Sequence, residues 1–101
     1  MIIKEKMLFD FKGSSFVKAV VDIERKIISL DCDLHSDCAE ELTQDGSKYA
    51  DLWGANIYSE GKKIDFISLI NIRPSVNNRS MDIENPIIKK QVEDIIKNLL
   101  F

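Results

Sequence analysis

The 101-residue chain lacks most of the features that would place it at once in a specialised class. It has no long hydrophobic run; its apolar stretches fall far short of the roughly 20 residues a membrane-spanning helix needs, so no membrane partner is expected. It has no excess of positive charge. Fourteen Lys and Arg against seventeen Asp and Glu leave a net charge of −3 and a pI near 5.1. That balance omits the overall electrostatic footprint of a nucleic-acid binder, and no nucleic-acid partner is expected. Cysteine is scarce, with two residues in all. The opening Met1-Ile2-Ile3-Lys4-Glu5-Lys6 carries charge too early for a signal peptide. Together these predict reduced thiols in a cytoplasmic protein. Neither GxGxxG nor a P-loop is present, nor is a nucleophile elbow, and no cofactor is implied. No repeat, linker or low-complexity segment interrupts the chain, and its length suits one domain spanning residues 1–101.

The most apolar run is Ile64-Asp65-Phe66-Ile67-Ser68-Leu69-Ile70-Asn71-Ile72-Arg73-Pro74. Read as a strand, it places Ile64, Phe66, Ser68, Ile70 and Ile72 on one face and Asp65, Ile67, Leu69, Asn71 and Arg73 on the other. The first face predicts the core. The second is apolar in its middle, so Ile67 and Leu69 need cover. Pro74 lacks an N–H and ends the ladder.

Elsewhere, Ile2 and Ile3 suit a short edge strand, and Gly13-Ser14-Ser15 marks a loop. Phe16 to Ile23 alternates, with Val17, Ala19, Val21 and Ile23 inward and Lys18 and Asp22 outward. Glu24-Arg25-Lys26 turns the chain, and Ile28, Leu30 and Cys32 point inward on the return, a hairpin without the favoured Asn-Gly. A short helix follows, capped by Ser36 or Asp37, with Glu40 three residues after Asp37 as in a capping box. Its apolar stripe is Cys38, Ala39 and Leu42, and Gly46 stops it. Leu52 to Tyr58 pairs with the apolar run through Ser59 to Lys63, and Gly54 inside that strand marks a bulge or a close approach. The last element is the clearest: Asn85 caps a helix, Pro86 sits in its first turn, and Ile88, Val92, Ile95, Ile96 and Leu99 recur at helical spacing. The sum is an α+β, two-layer sandwich: an antiparallel sheet of about four strands in two hairpins, with two helices, in the order ββαββα.

Several segments carry a resemblance. Phe16 to Asp22, Leu34-His35-Ser36-Asp37, Asp45-Gly46-Ser47, Asp51 to Tyr58 with its Leu-Trp-Gly and Asn-Ile-Tyr, and Ser68 to Ser75 with Asn78-Arg79-Ser80 resemble a family of small prokaryotic proteins catalogued only as a domain of unknown function. The likeness spans almost the whole chain and is most specific from Asn71 to Ser80. It implies a shared fold and no particular activity. Against that family the first fifteen residues look shorter than the usual N-terminal helical segment, and Cys32 and Cys38 look particular to this sequence.

The residues themselves offer several candidate sites. Arg73, Arg79, Asn71 and Asn78, with Asn56 and Tyr58 on the neighbouring strand, form a polar shelf beside a loop. Arginine forks match phosphate and carboxylate oxygens, which points to a small anionic ligand at Arg73–Ser80. The bland reading is that these side chains satisfy the backbone of an irregular loop. Cys32, His35 and Cys38 carry thiolate and imidazole donors, but their spacing differs from the usual zinc pairs, and packing explains the cysteines as well. No metal site is assigned. His35 with Asp33 or Asp37 has the makings of a general acid–base pair and is the one catalytic candidate; as a lone histidine before a helix it equally suits a hydrogen-bonding role. Lastly, Ile67, Leu69 and Val20 offer a homodimer interface, unless Met7, Leu8, Phe9 and Phe11 fold over them. The reading is a small anion-binding domain, with a structural or interaction module acting as a homodimer as its alternative.

Overall fold

A computed structural model describes residues 1–101. Five strands form one antiparallel sheet: β1 (Ile2–Ile3), β2 (Phe16–Asp22), β3 (Ile27–Cys32), β4 (Leu52–Tyr58) and β5 (Ile64–Asp65), in the spatial order β1-β3-β2-β4-β5. Two helices accompany it, α1 (His35–Gln44) and α2 (Pro86–Leu100). The α+β class stands, with β1 as an added edge strand.

The centre of the sheet is β2, not the stretch after Ile64. Val17, Ala19 and Val21 face α2, packing with Ile28, Leu30, Trp53, Ala55, Ile57 and the helix residues Val92, Ile95, Ile96 and Leu99. Val20 faces the other way and packs with Ile27, Leu52 and the α1 residues Cys38, Ala39 and Leu42. The helices therefore cover opposite faces, giving three layers where two were expected. A strand buried on both sides reads as a continuous apolar run, as Ala19-Val20-Val21 does. Phe9 and Phe11 pack into the α2 layer, so the N-terminal segment does not cover Ile67 or Leu69.

Local chemistry explains most boundaries. The Asn85 side chain accepts from the amides of Ile87 (2.8 Å) and Ile88 (3.2 Å) at the start of α2, and Glu93 pairs with Lys97 at 3.4 Å one turn on. At α1 the cap falls on Leu34, earlier than expected, and Asp37 accepts from the Leu34 amide at 3.3 Å. The β2–β3 turn closes without Asn-Gly because Asp22, fully buried rather than outward, accepts from the amides of Glu24 (2.9 Å) and Arg25 (3.0 Å). That is the Asx geometry favoured in turns.

The largest correction concerns residues 64–73. The ladder between β4 and β5 holds only Asn56↔Asp65 and Ile57↔Ile64. Beyond it the chain leaves the sheet and makes single helical turns at Leu69–Asn71 and Pro74–Val76. Cys32 is a second correction. Asp31 adopts a left-handed φ of 65°, and the β2–β3 register slips there, with Lys18 opposite Cys32 but Ala19 opposite Leu30. Such a bulge reverses the facing of the residue that follows. Cys32 turns to the α1 side and is bonded to Cys38 as a disulfide, with Cα atoms 5.8 Å apart. The expectation of free thiols does not hold in this structure.

Candidate functional site

Asn71, Arg73 and Asn78 of the Asn71–Ser80 stretch hydrogen-bond to the main chain around them. The Asn71 carboxamide is fully buried and docks on the open edge of β4 as a neighbouring strand would. Its Oδ1 accepts from Gly54 N at 2.8 Å, and its Nδ2 donates to Gly54 O at 3.0 Å. The same nitrogen lies 3.1 Å from Phe66 O and 3.0 Å from Met81 O. Arg73 continues along that edge, donating to the carbonyls of Leu52, Ala50 (3.2 Å) and Ile70 (3.1 Å). Its guanidinium is stacked 4.5 Å from the Trp53 ring centre and 4.9 Å from that of Tyr49. Burial lowers its pKa from the ordinary arginine value. Asn78 donates to Asn71 O (2.7 Å) and Asp82 O (2.7 Å) and accepts from Glu84 N at 2.8 Å. Side chains thus replace the strand that β5 fails to continue, and Asn71, Arg73 and Asn78 each bond main-chain carbonyls there.

Arg79 is exposed, and the anion cradle beside it already holds an anion. The Glu84 carboxylate accepts from Arg79 N (2.9 Å), Ser80 N (2.8 Å) and Ser80 Oγ (2.9 Å). Those bonds, the Ser80 hydroxyl first, hold its pKa below the usual carboxylate value. Glu84 thus caps the main-chain amides of this turn and leaves the Arg79 guanidinium outside its hydrogen bonds.

Two of the expected residues, His35 and Asn56, meet elsewhere. They line a cleft of about 480 Å³ on the α1 side of the sheet. One wall is Leu34-His35-Ser36 at the start of α1. The other is Ile67 to Ile70 with Met81, and Phe16 and Lys18 of β2 complete the lining. Tyr58 stands two residues further along β4, donating to Asp65 Oδ2 at 3.0 Å; that bond raises its pKa. Asp65 Oδ1 accepts from Asn56 Nδ2 at 2.8 Å. Lys18, read only as an outward strand residue, is the cleft's cation and escaped the sequence reading because nothing near it in sequence is polar in a recognisable pattern.

His35 Nε2 lies 2.8 Å from Ala55 O. A carbonyl only accepts, so the proton sits on Nε2 and Nδ1 of the neutral ring is left as an acceptor. Burial is the main cause that lowers the pKa of His35, aided by the Lys18 charge and opposed by the Ala55 bond. The unfolded chain therefore takes up this proton at higher pH than the folded one. Stability is unaffected by the group above its unfolded value of about 6.5 and falls as pH drops below that toward the lower folded value. His35→Gln is expected to remove this part of the pH dependence, seen as the wild-type-minus-variant difference in urea unfolding between pH 7.5 and 5. A flat difference would show that the ring is not buried as described.

Neither cysteine is free to ligate a metal while the disulfide stands, and no grouping of three metal-ligating side chains occurs. No helix is long and apolar enough to cross a membrane.

The fold defines a small mixed α+β domain with a five-stranded antiparallel sheet. Its sequence belongs to the family described as "Protein of unknown function (DUF5674)", whose model matches residues 3–99. No curated protein and no solved structure matches the chain.

Proposed function

We propose that the domain is a cytoplasmic binding module whose site is the cleft between α1 and the Ile67–Ile70 segment. Its ligand is a small molecule with an apolar body and an anionic end, carboxylate or phosphate. The observation that carries this reading is the lining itself: Phe16, Leu34, Ile67, Leu69, Ile70 and Met81 are apolar, and Lys18, His35, Ser36, Asn56 and Ser68 are the polar residues among them. A mainly apolar concavity with a few convergent polar groups is the usual form of a small-molecule site. Lys18 offers the charge, and neutral His35 an acceptor. This reading puts the anion at the Lys18 end of the cleft rather than at the Arg73–Ser80 loop, where Arg73 bonds main-chain carbonyls and Glu84 takes the amides of Arg79 and Ser80. No catalysis forms part of the proposal.

Benzoate and inorganic phosphate are suitable probes in amide NMR titrations. Benzoate is expected to shift the amides of Lys18, His35, Asn56 and Leu69. Lys18→Glu is expected to weaken it about tenfold, or ~1.4 kcal/mol. Shifts confined to Arg79–Glu84, or none at millimolar benzoate, would overturn the reading.

The rim favours one second reading, self-association. Leu69 is 73% exposed and Leu34 57% exposed on opposite walls of the cleft, an arrangement apolar enough to be covered by a second copy. Light scattering on Leu69→Asp separates the two: a dimer that becomes monomeric supports the homodimer, and an unchanged monomer rules it out.

A further inference from the structure

We propose that Cys32 and Cys38 form a reversible redox site that holds or releases one wall of the cleft. The bond closes a short loop, six residues apart in sequence, and that loop contains Leu34, His35 and Ser36, the wall contributed by α1. The start of α1 has little else to fix it. Leu34 occupies the cap position and offers no side-chain acceptor, a poor choice for that role. The remaining ties are the Leu34–Asp37 pair, in which Leu34 N donates to the Asp37 carboxylate at 3.3 Å and Asp37 N to Leu34 O at 3.1 Å, and the 2.8 Å His35–Ala55 bond.

The two sulfurs differ in a way that suits exchange. Cys32 is half-buried, whereas Cys38, the fourth residue of α1, is wholly buried. A thiolate of an external dithiol attacks Cys32 Sγ, forming a mixed disulfide, and Cys38 Sγ departs with the electron pair. It leaves close to the N-terminal end of α1, where the helix dipole favours a thiolate. The second thiol of the dithiol then displaces Cys32 Sγ. The external reagent ends as a cyclic disulfide, and the protein gains two electrons and two protons as two thiols. The bulge at Asp31 is what brings Cys32 to this side of the sheet; without its left-handed φ of 65° the residue would face α2. In a reducing compartment such a bond is characteristically transient rather than permanent. Opening leaves both core clusters in place, since Ala39 and Leu42 still dock α1 on Val20, Ile27 and Leu52.

The test needs no ligand, so its failure is distinct from failure of the binding proposal. The full chain is equilibrated in oxidised and reduced dithiothreitol mixtures, the thiols are trapped by alkylation, and amide hydrogen exchange is followed by NMR. Two cysteines titrating together and reversibly, with exchange at Asp37, Cys38 and Ala39, the first hydrogen-bonded amides of α1, accelerating at least about tenfold on reduction while β2 and β4 stay protected, is the expected result. Cys32→Ser is expected to show the same fast exchange in either buffer. The proposal is overturned if oxidised dithiothreitol leaves both thiols open to alkylation, if reduction unfolds the sheet as well, or if exchange at those three amides does not change.

Discussion

Asn71→Ala is expected to cost the domain ~3–4 kcal/mol, a large share of the 5–15 kcal/mol typical of such a chain. The loss does not come from volume alone. Removing the carboxamide leaves Gly54 N and Gly54 O on the edge of β4 without a partner, and Phe66 O and Met81 O lose the shared Nδ2. Each buried polar group left unpaired costs about 1–3 kcal/mol. Asn71→Asp discriminates between shape and bonding, since the two side chains are nearly the same size. The acid keeps an acceptor for Gly54 N but turns an oxygen toward three carbonyls, so it is expected to be at least as damaging as Ala. Urea unfolding reads both, with an unchanged slope marking a change in stability rather than in compactness. A loss under about 1 kcal/mol would mean that water replaces the carboxamide and that the edge is not held as described.

The same residue explains where sequence reading reached its limit. Helices α1 and α2 were legible because Cys38, Ala39 and Leu42, and likewise Val92, Ile95, Ile96 and Leu99, recur at helical spacing and are all buried. The β2–β3 hairpin was legible by alternation. Residues 64–73 were not, because an alternating pattern carries no record of whether the backbone or the side chains make the sheet's hydrogen bonds. Asn71 and Arg73 supply from their side chains what a strand supplies from its main chain, and the parity argument then assigns faces that do not exist. Ile83, almost fully buried in the α2 layer, sits in no regular element and left no periodic trace. The bulge at Asp31 was equally silent, since a left-handed aspartate has no spacing signature, and with it went the facing of Cys32. Of the expected site, His35 and Asn56 reach the cleft, while Lys18 was hidden in plain strand alternation and Arg73 lies against the carbonyls of Ala50, Leu52 and Ile70.

Gly54→Ala carries the second large effect, and for a reason opposite to the usual one for glycine in a strand. Its φ is ordinary for a strand, so alanine fits the backbone and on entropy alone would favour the folded state by about 0.4–1 kcal/mol. The obstacle is space. A methyl group at this position would lie 2.5 Å from Ser68 Cβ, 2.5 Å from Ser68 Oγ and 3.2 Å from Ile70 Cγ1. Ser68 cannot swing aside to make room, because its Cβ is fixed by a backbone held through Ser68 N to Met81 O at 3.0 Å. Relief requires the Phe66–Asn71 segment to move off β4, which pulls the Asn71 carboxamide from Gly54. We expect a net loss of ~2–3 kcal/mol, in the range for overpacking a tight contact. Ser68→Gly in the same chain removes the opposing carbon and is expected to restore ~1–2 kcal/mol of it, although alone it is destabilising because Ser68 Oγ accepts from Ile70 N at 3.3 Å. The sign of that coupling decides the matter. If the double variant is simply the sum of the two single ones, the strand edge and the Ser68 turn do not press on each other, and the close approach that seats Asn71 is not what holds this side of the domain closed.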